Sequence, residues 1–147
     1  MPTKTLSDAT YSAVIKACRK GDELVEKGNL GAAIAAYDEA LRLLPAPTTE
    51  WEAAAWVYAA KGDVLFQQGR YAEARLALEE AMCCPGGLGN PFLHLRLGQT
   101  YYELGKAEKA ADELSRAYMG AGEKIFEGED GKYLHLLKQA LKPRDDN

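Results

Sequence analysis

Positive charge, long apolar runs, β-branched residues and reactive side chains are all in short supply in this sequence. The 18 Lys and Arg residues are outnumbered by 22 Asp and Glu, which leaves a net charge of -4. The basic residues are scattered, with no stripe and no interleaved aromatic platform, so nucleic acid is not an expected partner. An acidic balance also disfavours an anionic membrane surface. No apolar stretch approaches the length of about 20 residues that a spanning helix needs. Met1 to Thr10 is polar and lacks the apolar centre of a signal peptide. The only cysteines are Cys18, Cys83 and Cys84, which cannot all pair, and two of them are adjacent. A reduced, cytoplasmic protein is the expectation.

The same scarcity bears on chemistry. The two histidines, His94 and His135, are far apart, and His94 reads as a packed structural residue. Cys83-Cys84 has neither the C-x-x-C spacing of a metal site nor that of a redox motif, and reads as packing at a helix end. The GGLGNP stretch, Gly86 to Pro91, follows a helix and lacks the Lys-Ser/Thr of a phosphate loop, so it is a connector. No catalytic residue, cofactor or metal is expected, and the protein is read as non-enzymatic.

What is present is alanine and repetition. The 147 residues make one domain, with 47% apolar and 27% charged residues, a balance that supports a folded core. Alanine is the commonest residue and Val and Ile are scarce, which predicts an all-α fold. Three segments align without internal gaps: KGDELVEKGNLGAAIAAYDEAL from Lys20, KGDVLFQQGRYAEARLALEEAM from Lys61 and LGQTYYELGKAEKAADELSRAY from Leu97. Each carries a Gly (Gly21, Gly62, Gly98), then a second (Gly28, Gly69, Gly105), an Ala (Ala33, Ala74, Ala110), a large residue (Tyr37, Leu78, Leu114) and another Ala (Ala40, Ala81, Ala117). The second Gly suits a left-handed helix end, and the alanines let a second helix approach the first. One such hairpin cannot bury its apolar face, so several must stack.

Seven helices are expected, at about 7–27, 29–44, 49–68, 71–83, from Asn90, 107–119 and 132–141. The third opens with a capping box, Thr49 to Glu52, and the fifth with Asn90 as cap and Pro91 in the first turn. Residues 120–131 read as a loop, and the tail from Pro143 as frayed.

The Gly, Ala, large and Ala pattern resembles the tetratricopeptide repeat, although the Trp and Leu places of the first stretch are poorly kept: the Trp places hold Ala17, Tyr58 and His94. The resemblance implies a right-handed α-solenoid of three hairpins, at about 13–47, 54–87 and 90–121, with a capping helix at about 131–142. It also implies that the first helix of each hairpin lines a concave groove. Residues sharing that face by spacing are Ile15, Cys18, Asp22 and Val25, then Trp56, Ala59, Asp63 and Phe66, then Phe92, Leu95, Gln99 and Tyr102. Trp56, Phe66, Phe92 and Tyr102 would form an aromatic floor suited to a protein or peptide, and Asp22 and Asp63 would favour a basic segment. The competing reading is that these aromatics are inter-repeat core. Trp51 reads as core or end packing.

Some members of the family clamp the C-terminal carboxylate of Hsp70 or Hsp90 with Lys, Asn and Arg. Here only Arg96 fits, and Cys18, Asp22 and Asp63 stand where donors are wanted, so that use is rejected. A general adaptor, an immunity protein that neutralises a bacterial toxin, and a chaperone like those of type III translocators stay open. The stretches PFLHLRLGQ and AYMGAGEKIFEGEDGKYL look like small bacterial stand-alone proteins of this type. The segment Glu123 to Leu137 reads as loop plus cap, or as an acidic lip contacting a basic partner.

Overall fold

Helices α1 (Asp8–Glu26), α2 (Leu30–Leu43), α3 (Glu52–Gln67), α4 (Tyr71–Cys83), α5 (Pro91–Glu103), α6 (Ala107–Ala121) and α7 (Gly131–Ala140) account for most of the chain. The structure, a computed structural model, describes residues 5–142, so the expected frayed tail from Pro143 lies outside the described residues. Among the described residues there is no strand.

Three glycine contacts set the hairpins. A Cβ built on Gly21 would lie 2.5 Å from the Tyr37 ring, one on Gly62 2.6 Å from Leu78, and one on Gly98 2.8 Å from Leu114. The Gly and the large residue of each repeat are therefore the two halves of one contact, where α1 meets α2, α3 meets α4 and α5 meets α6. The alanines on either side, Ala33 and Ala40, Ala74 and Ala81, and Ala110 and Ala117, are all fully buried. Each hairpin turns at its second glycine, with φ of +78° at Gly28, +73° at Gly69 and +77° at Gly105, a region only glycine enters cheaply. The residue after it returns a backbone N–H to the closing helix: Asn29 to Leu24, Arg70 to Leu65 and Lys106 to Tyr101, each at 2.9 Å.

Successive hairpins stack through α2 on α3 and α4 on α5, and α7 closes the array against α6. Val57 and Val64 share a buried cluster with Ala33, Tyr37, Ala40 and Leu44. Leu93 and Leu97 share the next with Leu78 and Ala81. The result is an all-helical solenoid.

Two details differ from the sequence reading. Thr49 does not cap α3; residues Thr48–Glu50 form a 3-10 turn, and α3 begins after Trp51 without a side-chain cap. The half-buried Trp51 instead anchors the inter-hairpin connection by donating its indole N–H to the Pro45 carbonyl at 2.7 Å. Residues 120–131 are also more ordered than a loop. Helix α6 continues to Ala121, and a 3-10 turn, Glu123–Phe126, buries Phe126 with Leu95, Leu114 and Leu137.

Candidate functional site

The first helices of the hairpins, α1, α3 and α5, lie side by side and touch in sequence order, which gives the solenoid an inner face. On α1, the expected groove residues Ile15 and Val25 are half-buried and Asp22 is exposed. Asp22 accepts a hydrogen bond from the Tyr37 hydroxyl at 2.6 Å. Burial, then that hydrogen bond and the nearby negative charge, push the Tyr37 hydroxyl far above the ordinary tyrosine range, so it stays a donor. On α3, Trp56 is 45% exposed and belongs to none of the buried clusters.

The next residues are brought together around one guanidinium. Arg96 lies 4.9 Å from the centre of the Phe66 ring and 5.2 Å from that of Phe92. Its Nε is 2.8 Å from Asp63 Oδ1, and one terminal nitrogen is 3.2 Å from Glu129 Oε1. The same nitrogen donates to Gln99 Oε1 at 2.6 Å. Neither Arg96 Nε nor Asp63 Oδ1 makes an aligned hydrogen bond despite their proximity, so that contact is an attraction between charges. Two carboxylates thus share one cation, bounded by two aromatic faces.

Glu129 arrives from beyond α6, and with it comes a cover over the third hairpin. Tyr133 packs edge-on against Tyr102 at 5.3 Å and donates its hydroxyl to Glu103 at 2.6 Å. Lys132 pairs with Glu103 at 2.7 Å. Burial alone would raise the Glu103 pKa, but hydrogen bonds from Lys132 and Tyr133 and the Lys132 charge hold it below the usual carboxylate value. Leu95, Phe126, Tyr133 and Leu137 form one buried cluster.

The cover alters the expected floor. Gln99 is fully buried rather than exposed, and its amide nitrogen has no hydrogen-bond partner among the described residues. Leu95 is likewise buried, and Tyr102 is half-buried under Tyr133. Phe92 keeps 37% of its surface exposed at the rim. Glu129 is turned inward onto Arg96 rather than standing as a free acidic lip. The residues that sequence reasoning missed are Glu103, Glu129, Lys132 and Tyr133. The one signal for Glu129, Lys132 and Tyr133 was the Glu123 to Leu137 stretch, whose direction of packing no local pattern encodes, and Glu103 had none.

The histidine at the Trp place is a structural one. His94 is buried, with Nδ1 2.6 Å from Glu113 and Nε2 2.7 Å from the Leu88 carbonyl oxygen. Cys84 is buried at the end of α4 and Cys83 is exposed, and the three cysteines are free thiols. Among the described residues no group of three or more His, Cys, Asp or Glu side chains could hold a metal ion. No helix among them is long and apolar enough to cross a membrane.

Comparison with known proteins agrees with this geometry. Residues 17–82 match the tetratricopeptide repeat family. No protein of curated function matches the sequence. Among solved structures, the Arabidopsis OM64 TPR domain is similar at 18% identity and a TM-score of 0.68, over 92% of this chain and 99% of that one. The N-terminal domain of stress-induced protein-1 from C. elegans is similar at 18% identity and a TM-score of 0.69, over 92% and 100%. The Yersinia enterocolitica type III secretion chaperone SycD, in complex with a peptide of the translocator YopD, is similar at 12% identity and a TM-score of 0.68, over 92% and 95%. Residues 17–82 thus carry a tetratricopeptide repeat match, and the chain as a whole shares the helical fold of solved TPR domains.

Proposed function

We propose that the protein is a non-enzymatic binding module that receives a segment of a partner protein along its inner face, at the part formed by α1 and α3. The observation that carries this reading is Trp56, a large aromatic side chain left 45% exposed on α3, on the helix face that spacing shares with Phe66. Aromatic anchors of this kind supply contact area at small entropic cost and concentrate binding energy. The partner segment is apolar with basic residues beside it. Asp22 and Asp63 add negative charge, and the cations Arg96 and Lys132 are already matched, Arg96 by Asp63 and Glu129 and Lys132 by Glu103. That charge pattern does not suit an acidic peptide such as SRMEEVD, which one similar structure, the first TPR of Spaghetti (RPAP3), holds.

An apolar client segment, as in the SycD complex with a translocator peptide, fits the aromatic lining and supports a chaperone role as the second reading. A toxin-neutralising role would use the same acidic, aromatic surface against a basic toxin. Three free thiols suit a reducing, cytoplasmic setting for either.

The test is affinity capture from native lysate by the tagged protein, read by mass spectrometry, with Trp56→Lys as control. Trp56 is absent from the buried clusters, so the variant keeps its helicity. One dominant partner lost in the variant is the expected result. A dominant partner retained undiminished by Trp56→Lys refutes the reading.

A further inference from the structure

We propose that the outer edge of α1 is a second interaction surface, which docks an acidic helix of a partner protein. The argument comes from the internal repeat. Counting from the repeat glycines, Lys16, Arg19, Lys20 and Glu23 of α1 correspond to Val57, Ala60, Lys61 and Val64 of α3, and to Leu93, Arg96, Leu97 and Thr100 of α5. In α3 and α5 these positions, apart from that of Arg96, which meets Asp63 and Phe66 of α3, receive the second helix of the preceding hairpin. Val57, Val64, Leu93, Leu97 and Thr100 are buried there. No hairpin precedes α1 among the described residues, and Lys16, Arg19, Lys20 and Glu23 are exposed.

Residue 61 supplies the template for what such a helix would bring. Lys61 reaches across to Asp38 on α2 at 2.7 Å, a half-buried ion pair between one hairpin and the next. Lys20 holds the same position one hairpin earlier and pairs with no carboxylate among the described residues, and the same is true of Lys16 and Arg19. Three unmatched cations on one helical face, with the single carboxylate Glu23 among them, are unusual in a chain of net charge -4. The cations are therefore less scattered than their spacing along the sequence suggests. An open depression on α1 is lined by Tyr11, Ser12, Ala13, Ile15 and Ala17 as well as the charged residues. An end that is only solvated calls for polar residues of either sign. A face shaped for a helix and carrying a net positive charge selects an acidic one. The surface is too short, and the rest of the chain too acidic, to track a polyanion.

The test uses a fluorescein-labelled, stapled alanine-rich helical peptide with Asp and Glu along one face, and the same peptide with Asn and Gln. Anisotropy titrations are run on the full chain, on Lys16→Glu/Arg19→Glu/Lys20→Glu and on Trp56→Lys. The acidic peptide is expected to bind the full chain and Trp56→Lys alike. The triple variant should weaken it by about tenfold or more, and added salt should weaken it too. Absence of binding, equal binding of the neutral peptide, or indifference to the triple charge reversal overturns the proposal and leaves a solvated end. Displacement of the peptide by a short single-stranded RNA at lower concentration overturns it in favour of a polyanion. Because Trp56→Lys is tested in parallel, failure of this edge and failure of the inner-face reading are distinguishable.

Discussion

Replacing Arg96 with Ala removes the cation that joins α3, α5 and the C-terminal cover. The loss can be estimated from its neighbours. Asp63 Oδ1 is already without an aligned hydrogen bond, and Ala leaves it with no compensating charge at 2.8 Å. Glu129 loses its partner at 3.2 Å, and Gln99 Oε1 loses its donor. Breaking a fully buried pair by deleting one member costs about 3–5 kcal/mol. Here the side chains of Asp63 and Glu129 keep 27% and 24% exposure, so water takes over part of the missing interaction. The expected loss is about 2–3 kcal/mol. At about 2–4 °C per kcal/mol for a domain of this size, Tm should fall by about 4–12 °C. Urea denaturation followed by far-ultraviolet circular dichroism gives the free energy directly. The decisive comparison makes the same change in an Asp63→Asn/Glu129→Gln background, where no carboxylate is left stranded. There Arg96→Ala should cost only the stem packing on Phe66 and Phe92, about 1 kcal/mol. A cost below about 0.5 kcal/mol in the native background, or the same cost in both, would show that charge sharing at Arg96 does not hold the cover in place.

Gly62→Ala should destabilise the protein, because the new methyl would meet Leu78 at 2.6 Å and overpacking of about 1–3 kcal/mol exceeds most of the helix-propensity gain of about 1 kcal/mol. In a Leu78→Ala background the sign should reverse, since the methyl then fills part of a cavity; a destabilising effect in both backgrounds, read by urea midpoints, would refute the contact. Glu103→Gln should lose stability at neutral pH. The folded-state pKa of Glu103 is depressed, so its contribution is present above the unfolded-state value and fades as pH falls through the folded one. The Tm difference from the parent should therefore close on acidification through and below the usual carboxylate range, and a difference constant from pH 7 to 3 would contradict the Lys132 and Tyr133 contacts.

The hairpins were legible because their determinants are local and periodic. Gly21, Gly62 and Gly98 recur at a fixed distance before Tyr37, Leu78 and Leu114, and the structure makes each pair one contact. The left-handed turns at Gly28, Gly69 and Gly105 were equally visible, since only glycine takes that φ cheaply. The start of α3 was misread because Thr49 and Glu52 fit a capping pattern, while the Trp51 to Pro45 hydrogen bond fixes the chain differently. The inner face was half legible. Spacing put Asp63, Phe66 and Phe92 on it, and the family resemblance pointed to Arg96, but the packing of Tyr133 on Tyr102 and of Phe126 with Leu95 comes from many residues away. A link such as Arg96 to Glu129, 33 residues apart, follows from how the last segment folds back, which no periodicity reports.

The two ends of this array are unlike each other, and that difference should appear in how the molecule opens. Each hairpin touches only its neighbours. The first is held from one side, through α2 on α3, whereas the third is held by α4 and again by the segment that carries Glu129, Lys132 and Tyr133. In a nearly one-dimensional chain of coupled units, fraying begins where coupling is single. Amide hydrogen exchange should therefore rise in a gradient, fastest in α1 and α2 and slowest in α5. The region that unlatches first is then the one bearing Ile15, Asp22 and Val25, so closing on a partner there would extend protection along the whole solenoid.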